Sequence, residues 1–311
     1  MREVADPVPG GGELLIEVEA CGLNFADLLM ARGEYQERAE PPFALGMEIA
    51  GRVAALGPGA EGIAVGDRVV AFAGRGGLAD RAVVAADRCV PMPEGMDPVD
   101  AAAFPIAYGT SHLALARRAR LQAGETLLVL GAAGGVGLTA VELGDLMGAQ
   151  VIAAARGREK LAVAERAGAR HLVDTESDDF VAIVRQLGGA DVVYDPVGGP
   201  LYDAAMRTCR PEARYLVIGF AGGVPTVRPN HLLVKNVSLV GFYWGGYMDF
   251  APEAVRDSMT QLADWYRRGR LAPHVSHVVP LDRAAEGLEL IRARASTGKV
   301  VVTPWGSTPP A

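Results

Sequence analysis

Apolar residues fall along this chain in two rhythms. Up to about residue 100 they come in short, partly alternating runs, Glu13-Leu-Leu-Ile-Glu-Val-Glu-Ala20, Ile49-Ala-Gly-Arg-Val-Ala-Ala-Leu56 and Asp67-Arg-Val-Val-Ala-Phe72, punctuated by Gly/Pro clusters. That pattern predicts a β-rich, barrel-like domain. From about Ala101 onward, apolar runs of strand length alternate with helical stretches: strands at 126–130, 150–154, 171–173, 191–195 and 213–218, helices at 136–147, 158–167, 178–187 and 199–207. Such alternation predicts an α/β domain built on a parallel doubly wound sheet, extended by Val237-Ser-Leu-Val-Gly241. The tail predicts a long helix near 251–268, a strand at 275–279, a helix near 282–295 and a last strand at 298–302. Because the α/β block is flanked on both sides, the two ends are expected to meet. The organisation predicted is one discontinuous domain, 1–103 with 246–311, around a continuous one at 104–245. Residues 307–311 are expected to fray.

Within the α/β block, Leu127-Leu-Val-Leu130 is apolar on both faces, as a central parallel strand must be, and runs into Gly131-Ala-Ala-Gly-Gly-Val-Gly137. A strand, a glycine turn and a helix in that order cradle a dinucleotide pyrophosphate: Gly134 and Gly137 let backbone approach phosphate and helix approach strand, and N–H groups at the helix start face the anion. In the Gly-x-Gly-x-x-Gly frame, Ala132 replaces the first glycine, with Gly131 just before it. A glycine turn alone is also compatible with a purely structural role, so the next strand matters. A site for NAD places a carboxylate about twenty residues beyond the glycines, at the end of the second strand. Here that position reads Arg156-Gly-Arg-Glu-Lys160, cations able to bind a 2′-phosphate, so NADPH is favoured over NADH. The competing reading of these charges is a solvated helix start.

A chain of 311 residues with 50% hydrophobic content can bury a large core in two domains. Its net charge of -7 gives no basic face for nucleic acid or an anionic membrane surface. No apolar stretch reaches membrane-spanning length, and Met1-Arg-Glu-Val-Ala-Asp6 lacks the apolar region of a signal peptide, so a cytoplasmic protein is expected. Cys21, Cys89 and Cys209 are odd in number and without a Cys-x-x-Cys pair, which argues for reduced thiols rather than a disulfide framework or a structural zinc.

Cys21-Gly-Leu-Asn-Phe-Ala-Asp27, Arg32-Gly-Glu-Tyr35, Leu45-Gly-Met-Glu-Ile-Ala-Gly51, Val65-Gly-Asp-Arg-Val69, the glycine turn and Gly298-Lys-Val-Val301 follow one another in fixed order over nearly the whole chain. Together they resemble the quinone oxidoreductase (zeta-crystallin-like) branch of the medium-chain dehydrogenase/reductase superfamily. The resemblance implies a GroES-like β-barrel catalytic domain, a Rossmann domain, an active site in the cleft between them, and a homodimer, with sheet edges near 236–246 as the expected contact. Members usually carry a further strand before the segment Val4-Ala-Asp-Pro-Val-Pro9. Either the barrel edge is less well paired here, or the start lies upstream.

In the zinc-dependent alcohol dehydrogenases of that superfamily, a cysteine ligand corresponds to Asn24 and a histidine ligand to Met47. Neither replacement supplies the thiolate or imidazole a catalytic zinc requires, so no metal is expected. Without a Lewis acid, hydride delivery suits an acceptor that spreads the developing charge itself, a quinone or an α,β-unsaturated carbonyl. Alternatives of the same fold and of another class are a 2-enoyl thioester reductase and a catalytically idle NADPH-binding protein.

For catalysis the candidates are Asn24, as amide donor to the acceptor carbonyl, Tyr35, as proton donor or cofactor contact, and Asp27. Asn24 and Asp27 have a competing role in capping the helix that follows. Glu48 is expected to be structural, paired with a buried cation. The resemblance further implies cofactor contacts from Ala133, Gly134, Gly135 and Val136 at the pyrophosphate, Arg156 and Lys160 at the 2′-phosphate, Thr175 on the adenine side, and Gly198, Ile218, Gly219, Phe220 and Ala221 around the nicotinamide ribose. Thr110 is expected to border the cofactor as well. Phe242 and Trp244 are also counted with the cofactor site, as a wall of the acceptor pocket, with a core or subunit contact as the competing reading.

Overall fold

A computed structural model describes residues 3–176 and 179–304; the expectation for 307–311 lies outside them. Among these residues the strands, in chain order, are β1 (Glu13–Leu23), β2 (Glu48–Leu56), β3 (Arg68–Phe72), β4 (Arg81–Ala85), β5 (Cys89–Pro91), β6 (Thr126–Leu130), β7 (Gln150–Ala155), β8 (His171–Asp174), β9 (Ala190–Asp195), β10 (Cys209–Val217), β11 (Ser238–Gly241), β12 (Val275–Pro280) and β13 (Lys299–Thr303). The chain divides into two compact units, one from residues 1–106 with 272–311 and one from 107–271.

In the discontinuous unit the strands run in the order β12-β13-β1-β2-β3-β5, with β4 also on β1. Pairing is antiparallel except between β12 and β13. Strand β1 is the hub, bonded along its length to β2, β4 and β13. Alternate residues of these strands, Leu14, Ile16, Ile49, Val69, Ala71, Val300 and Val302, form the core, as period-two patterning requires.

The continuous unit holds an all-parallel sheet in the order β11-β10-β9-β6-β7-β8. Sequence order climbs away from β6 on both sides, so the strand order reverses between β6 and β9; this is the switch point where doubly wound sheets bind nucleotides. Leu127, Leu128, Val129 and Leu130 are fully buried, because helices cover both faces of a parallel sheet. Helix Gly135–Leu146 lies close over it at Gly144, where a Cβ would stand 2.5 Å from Leu127 Cδ2.

The second boundary corrects the sequence expectation. It falls at 271/272, not at 245/246. The helix Pro252–Arg267 belongs to the continuous unit because His112 Nδ1 bonds Ser258 Oγ at 2.7 Å, the His112 ring meets Trp265 edge-on, and Leu262 is fully buried. No sequence periodicity marks the helix Pro105–His112 or the π-helical Leu113–Ala119 that continues it.

Candidate functional site

In the continuous unit, backbone geometry builds a cradle at the switch point. Gly131 leaves β6 at φ +59, a left-handed value that favours glycine, and a Cβ there would lie 2.9 Å from Val197 Cγ2 in the turn after β9. Gly137 sits in the first turn of its helix, where a Cβ would come within 2.2 Å of Gly131 O. Gly134 is different. It is exposed, and the nearest atom to its would-be Cβ is Gly131 O at 3.4 Å, so the protein's own packing does not demand glycine. The space above it is what an approaching anion would use, at the start of a twelve-residue helix. Ala133 is buried, while Gly135 and Val136 are half-buried at the same helix start.

Beneath this turn lies a knot of hydroxyls. Ser111 Oγ bonds Val136 O at 2.9 Å, Thr139 Oγ1 at 2.8 Å and Tyr194 Oη at 3.0 Å, and Thr139 Oγ1 donates to Ala107 O at 3.0 Å. The helix carrying buried Thr110 is thereby fastened to the glycine turn. Burial raises the Tyr194 phenol above its usual pKa, so it remains a neutral donor.

At the end of β9, Asp195 organises the opposite rim. Its Oδ1 accepts the N–H groups of Val197 and Gly198, each at 2.8 Å, and its Oδ2 accepts the Tyr215 hydroxyl at 2.7 Å. Gly198 and Gly199 have positive φ, and a Cβ on either would strike Gly223 O or Gly222 O within 2.5 Å. The turn containing Ile218, Gly219, Phe220 and Ala221 is therefore held tightly against it: Ile218 N–H donates to Asp195 O and Ala221 N–H to Pro196 O. Phe220 stands 43% exposed on that rim.

Beyond β7 come Arg156, exposed, and Lys160, half-buried; Thr175 follows β8 and donates its N–H to Ala155 O at 3.0 Å. All the predicted pyrophosphate, 2′-phosphate and ribose residues thus sit at the C-terminal ends of one sheet's strands. Phe242 and Trp244 are buried instead, Phe242 against Tyr247 and Trp244 against Gly109, where a Cβ would be 2.6 Å from the indole nitrogen.

In the discontinuous unit, Asn24 is bound into a buried ion cluster. Lys299 Nζ donates to Leu23 O at 2.8 Å, Asn24 Oδ1 at 2.7 Å and Glu48 Oε1 at 2.6 Å. Glu48 is fully buried, and its Oε2 accepts Ile106 N–H at 2.8 Å. The cation expected for Glu48 is therefore Lys299, which the sequence reading did not single out; a lysine opening an otherwise apolar strand was the available signal.

Two of the catalytic candidates, Asn24 and Asp27, have partners within the protein. The Asn24 amide gives its N–H groups to Glu48 Oε1 at 2.8 Å and Gly22 O at 3.3 Å, and its oxygen to an ammonium that can only donate. Both ends of the amide thus meet groups of the protein itself. Asp27 is fully buried and accepts Asn24 N–H at 2.8 Å and Gly46 N–H at 3.0 Å; burial pushes its carboxyl up to about 6. Its role is to fix the start of helix Phe25–Ala31 and the turn at Gly46. Tyr35, half-buried, lies in the bend beyond that helix. Cys21 adjoins the cluster, its thiol pushed well up by burial first and by Asp27 and Glu48 next. Among the described residues no group of three or more His, Cys, Asp or Glu side chains could hold a metal ion, and no helix is long and apolar enough to cross a membrane.

Comparisons with known proteins agree with this architecture. Residues 10–94 match the alcohol dehydrogenase GroES-like domain family, and residues 135–263 match the zinc-binding dehydrogenase family. A quinone oxidoreductase-like protein 2 from Bos taurus is 38% identical over 296 residues, 94% of this chain and 85% of its own. Among solved structures, the quinone oxidoreductase of Thermus thermophilus, determined alone and with NADPH, superposes with a TM-score of 0.87 at 33% identity, covering 97% of this chain and 95% of that one. The Escherichia coli quinone oxidoreductase complexed with NADPH gives 0.91 at 26% identity over the same shares. The chain belongs to the quinone oxidoreductase branch of the medium-chain dehydrogenase/reductase superfamily.

Proposed function

We propose that the protein is an NADPH-dependent oxidoreductase that reduces quinones or other conjugated carbonyl compounds and uses no catalytic zinc. The observation that carries this reading is the open cradle at Gly134, whose missing side chain answers to no packing need, on the same sheet edge as Arg156 and Lys160. NADPH complexes of relatives at 33% and 26% identity support it. Bound in that cradle, NADPH supplies a hydride. The chain's part is to hold the pyrophosphate on the amides at 133–136, meet the 2′-phosphate with Arg156 and Lys160, support the adenine side at Thr175, and border the ribose with Gly198 and residues 218–221.

A zinc does not fit the discontinuous unit. Asn24 and Met47 offer an amide and a thioether, and the carboxylate beside them already has Lys299 as its cation. Such a unit suits acceptors that delocalise the incoming charge over their own π-system. Tyr35, whose phenol can donate, is the candidate for supplying a proton. A homodimer is part of the reading, with β11 at the sheet edge as the surface a second copy would extend.

Initial rates of NADPH oxidation with a small quinone, an alkenal, an enoyl thioester and an unconjugated ketone test the proposal. The quinone and alkenal are expected to turn over, the ketone at least about tenfold more slowly. A marked preference for the thioester would replace this reading with a 2-enoyl thioester reductase. Stoichiometric zinc in tag-free protein would overturn the metal-free part.

A further inference from the structure

The dinucleotide site carries a charge that the proposed cofactor preference does not call for. Strands β7 and β8 are parallel and in register at Ala155 and Asp174, so Arg156 and the residues just after Asp174 emerge side by side. Asp174 fixes them there: its Oδ1 accepts both Gly157 N–H at 3.2 Å and Glu176 N–H at 3.0 Å, while Thr175 N–H bonds Ala155 O at 3.0 Å. This staple delivers the Glu176 carboxylate to Arg156, with Oε1 3.8 Å from the guanidinium Nη1. The pair is well exposed, 43% for Arg156 and 61% for Glu176, and both groups are open to a ligand.

We propose that Glu176 is a specificity-determining residue of this site, which restrains the preference for a 2′-phosphate and admits dinucleotides that lack one. The inference rests on the reading of Arg156 as the 2′-phosphate contact. A 2′-phosphate that engages Arg156 displaces Glu176 as its counter-ion and then stands beside a like charge, which opposes binding. A dinucleotide with a free 2′-hydroxyl meets no such repulsion, and a carboxylate is the group that accepts a hydrogen bond from ribose hydroxyls. Arg156 therefore favours the phosphorylated form and Glu176 the unphosphorylated one, from adjacent strand ends.

Dissociation constants for NADPH and NADH, read from nicotinamide fluorescence on titration into wild type, Glu176→Gln and Arg156→Ala, test this without turnover. Glutamine keeps the size and exposure of the side chain. In E176Q the ratio of the NADH constant to the NADPH constant is expected to rise about two- to fivefold, the scale of an exposed charge pair; in R156A it is expected to fall. An unchanged or lower ratio in E176Q, with R156A behaving as stated, overturns the role of Glu176 and leaves the cofactor reading standing. If R156A leaves the ratio unmoved, the 2′-phosphate assignment fails, and the inference fails with it.

Discussion

Lys299 and Glu48 stand 251 positions apart in sequence and 2.6 Å apart in the fold. That separation explains why half of the cluster was legible and half was not. Glu48, in a Gly-Met-Glu turn leading into an apolar strand, declares from sequence that it needs a cation, because a buried carboxylate without one is costly. Which cation answers depends on β13 pairing with β1, a long-range fact that no local pattern contains. The same contact engages Asn24, whose amide meets Glu48 at one end and Lys299 at the other. Removing one partner of a buried ion pair leaves the other uncompensated, so Lys299→Met is expected to destabilise the protein by about 3–5 kcal/mol. Adding Glu48→Gln, which removes the orphaned charge and keeps an acceptor for Ile106 N–H, is expected to recover a good part of that loss. Urea unfolding of wild type, both single variants and the double variant measures the coupling. Additive losses would show that the two residues act independently.

Among elements, the parallel sheet was the most readable because its strands are apolar on both faces and its glycine turn is local. The helix Pro105–His112 was the least readable. It contains Gly109, Thr110, Ser111 and His112, all weak helix formers, and it is buried on most sides, so it shows neither propensity nor an amphipathic stripe. What holds it includes His112, bonded to Ser258 of helix Pro252–Arg267 and set edge-on to Trp265. Burial pushes the His112 imidazole down to about 4 from its ordinary 6.5. Between those values the unfolded chain takes up a proton that the folded chain refuses. This contribution to stability is therefore complete above pH 6.5 and is lost as pH falls toward 4, to a total of about 3 kcal/mol. Asp27 works in the opposite sense: its raised folded value, about 6, makes the folded chain the better proton acceptor from there down to the usual aspartate range, so its term strengthens as pH falls through that window. Unfolding free energies of wild type and His112→Gln across pH 4–8 separate the two. The variant is expected to lose the part of the acid sensitivity that belongs to His112; an unchanged slope would show that this imidazole titrates normally.

At the scale of the whole molecule, the chain is two units of unequal continuity. The sequence rhythm revealed both, and misplaced one boundary because a long amphipathic helix can face either neighbour and its apolar stripe does not say which. Each unit has its own buried core and its own sheet. Apart from Tyr35, the residues proposed to contact NADPH, from Thr110 to Ala221, lie in the continuous unit, with the glycine turn, the hydroxyl knot beneath it and the Asp195 rim. A domain with a closed core and uninterrupted chain is expected to fold alone. The segment 107–271, expressed by itself, should therefore melt cooperatively and bind NADPH within about tenfold of the full chain's affinity, roughly 1.4 kcal/mol, while oxidising none with a quinone present. Ending the segment at 245, the boundary that periodicity suggested, removes the partners of His112 and should leave a protein that melts earlier or not cooperatively. Thermal denaturation and NADPH titration of the two fragments decide it: equal stability of both would show that Pro252–Arg267 adds nothing to the unit, and loss of NADPH binding by 107–271 would mean that the cradle is not sufficient by itself to hold the dinucleotide.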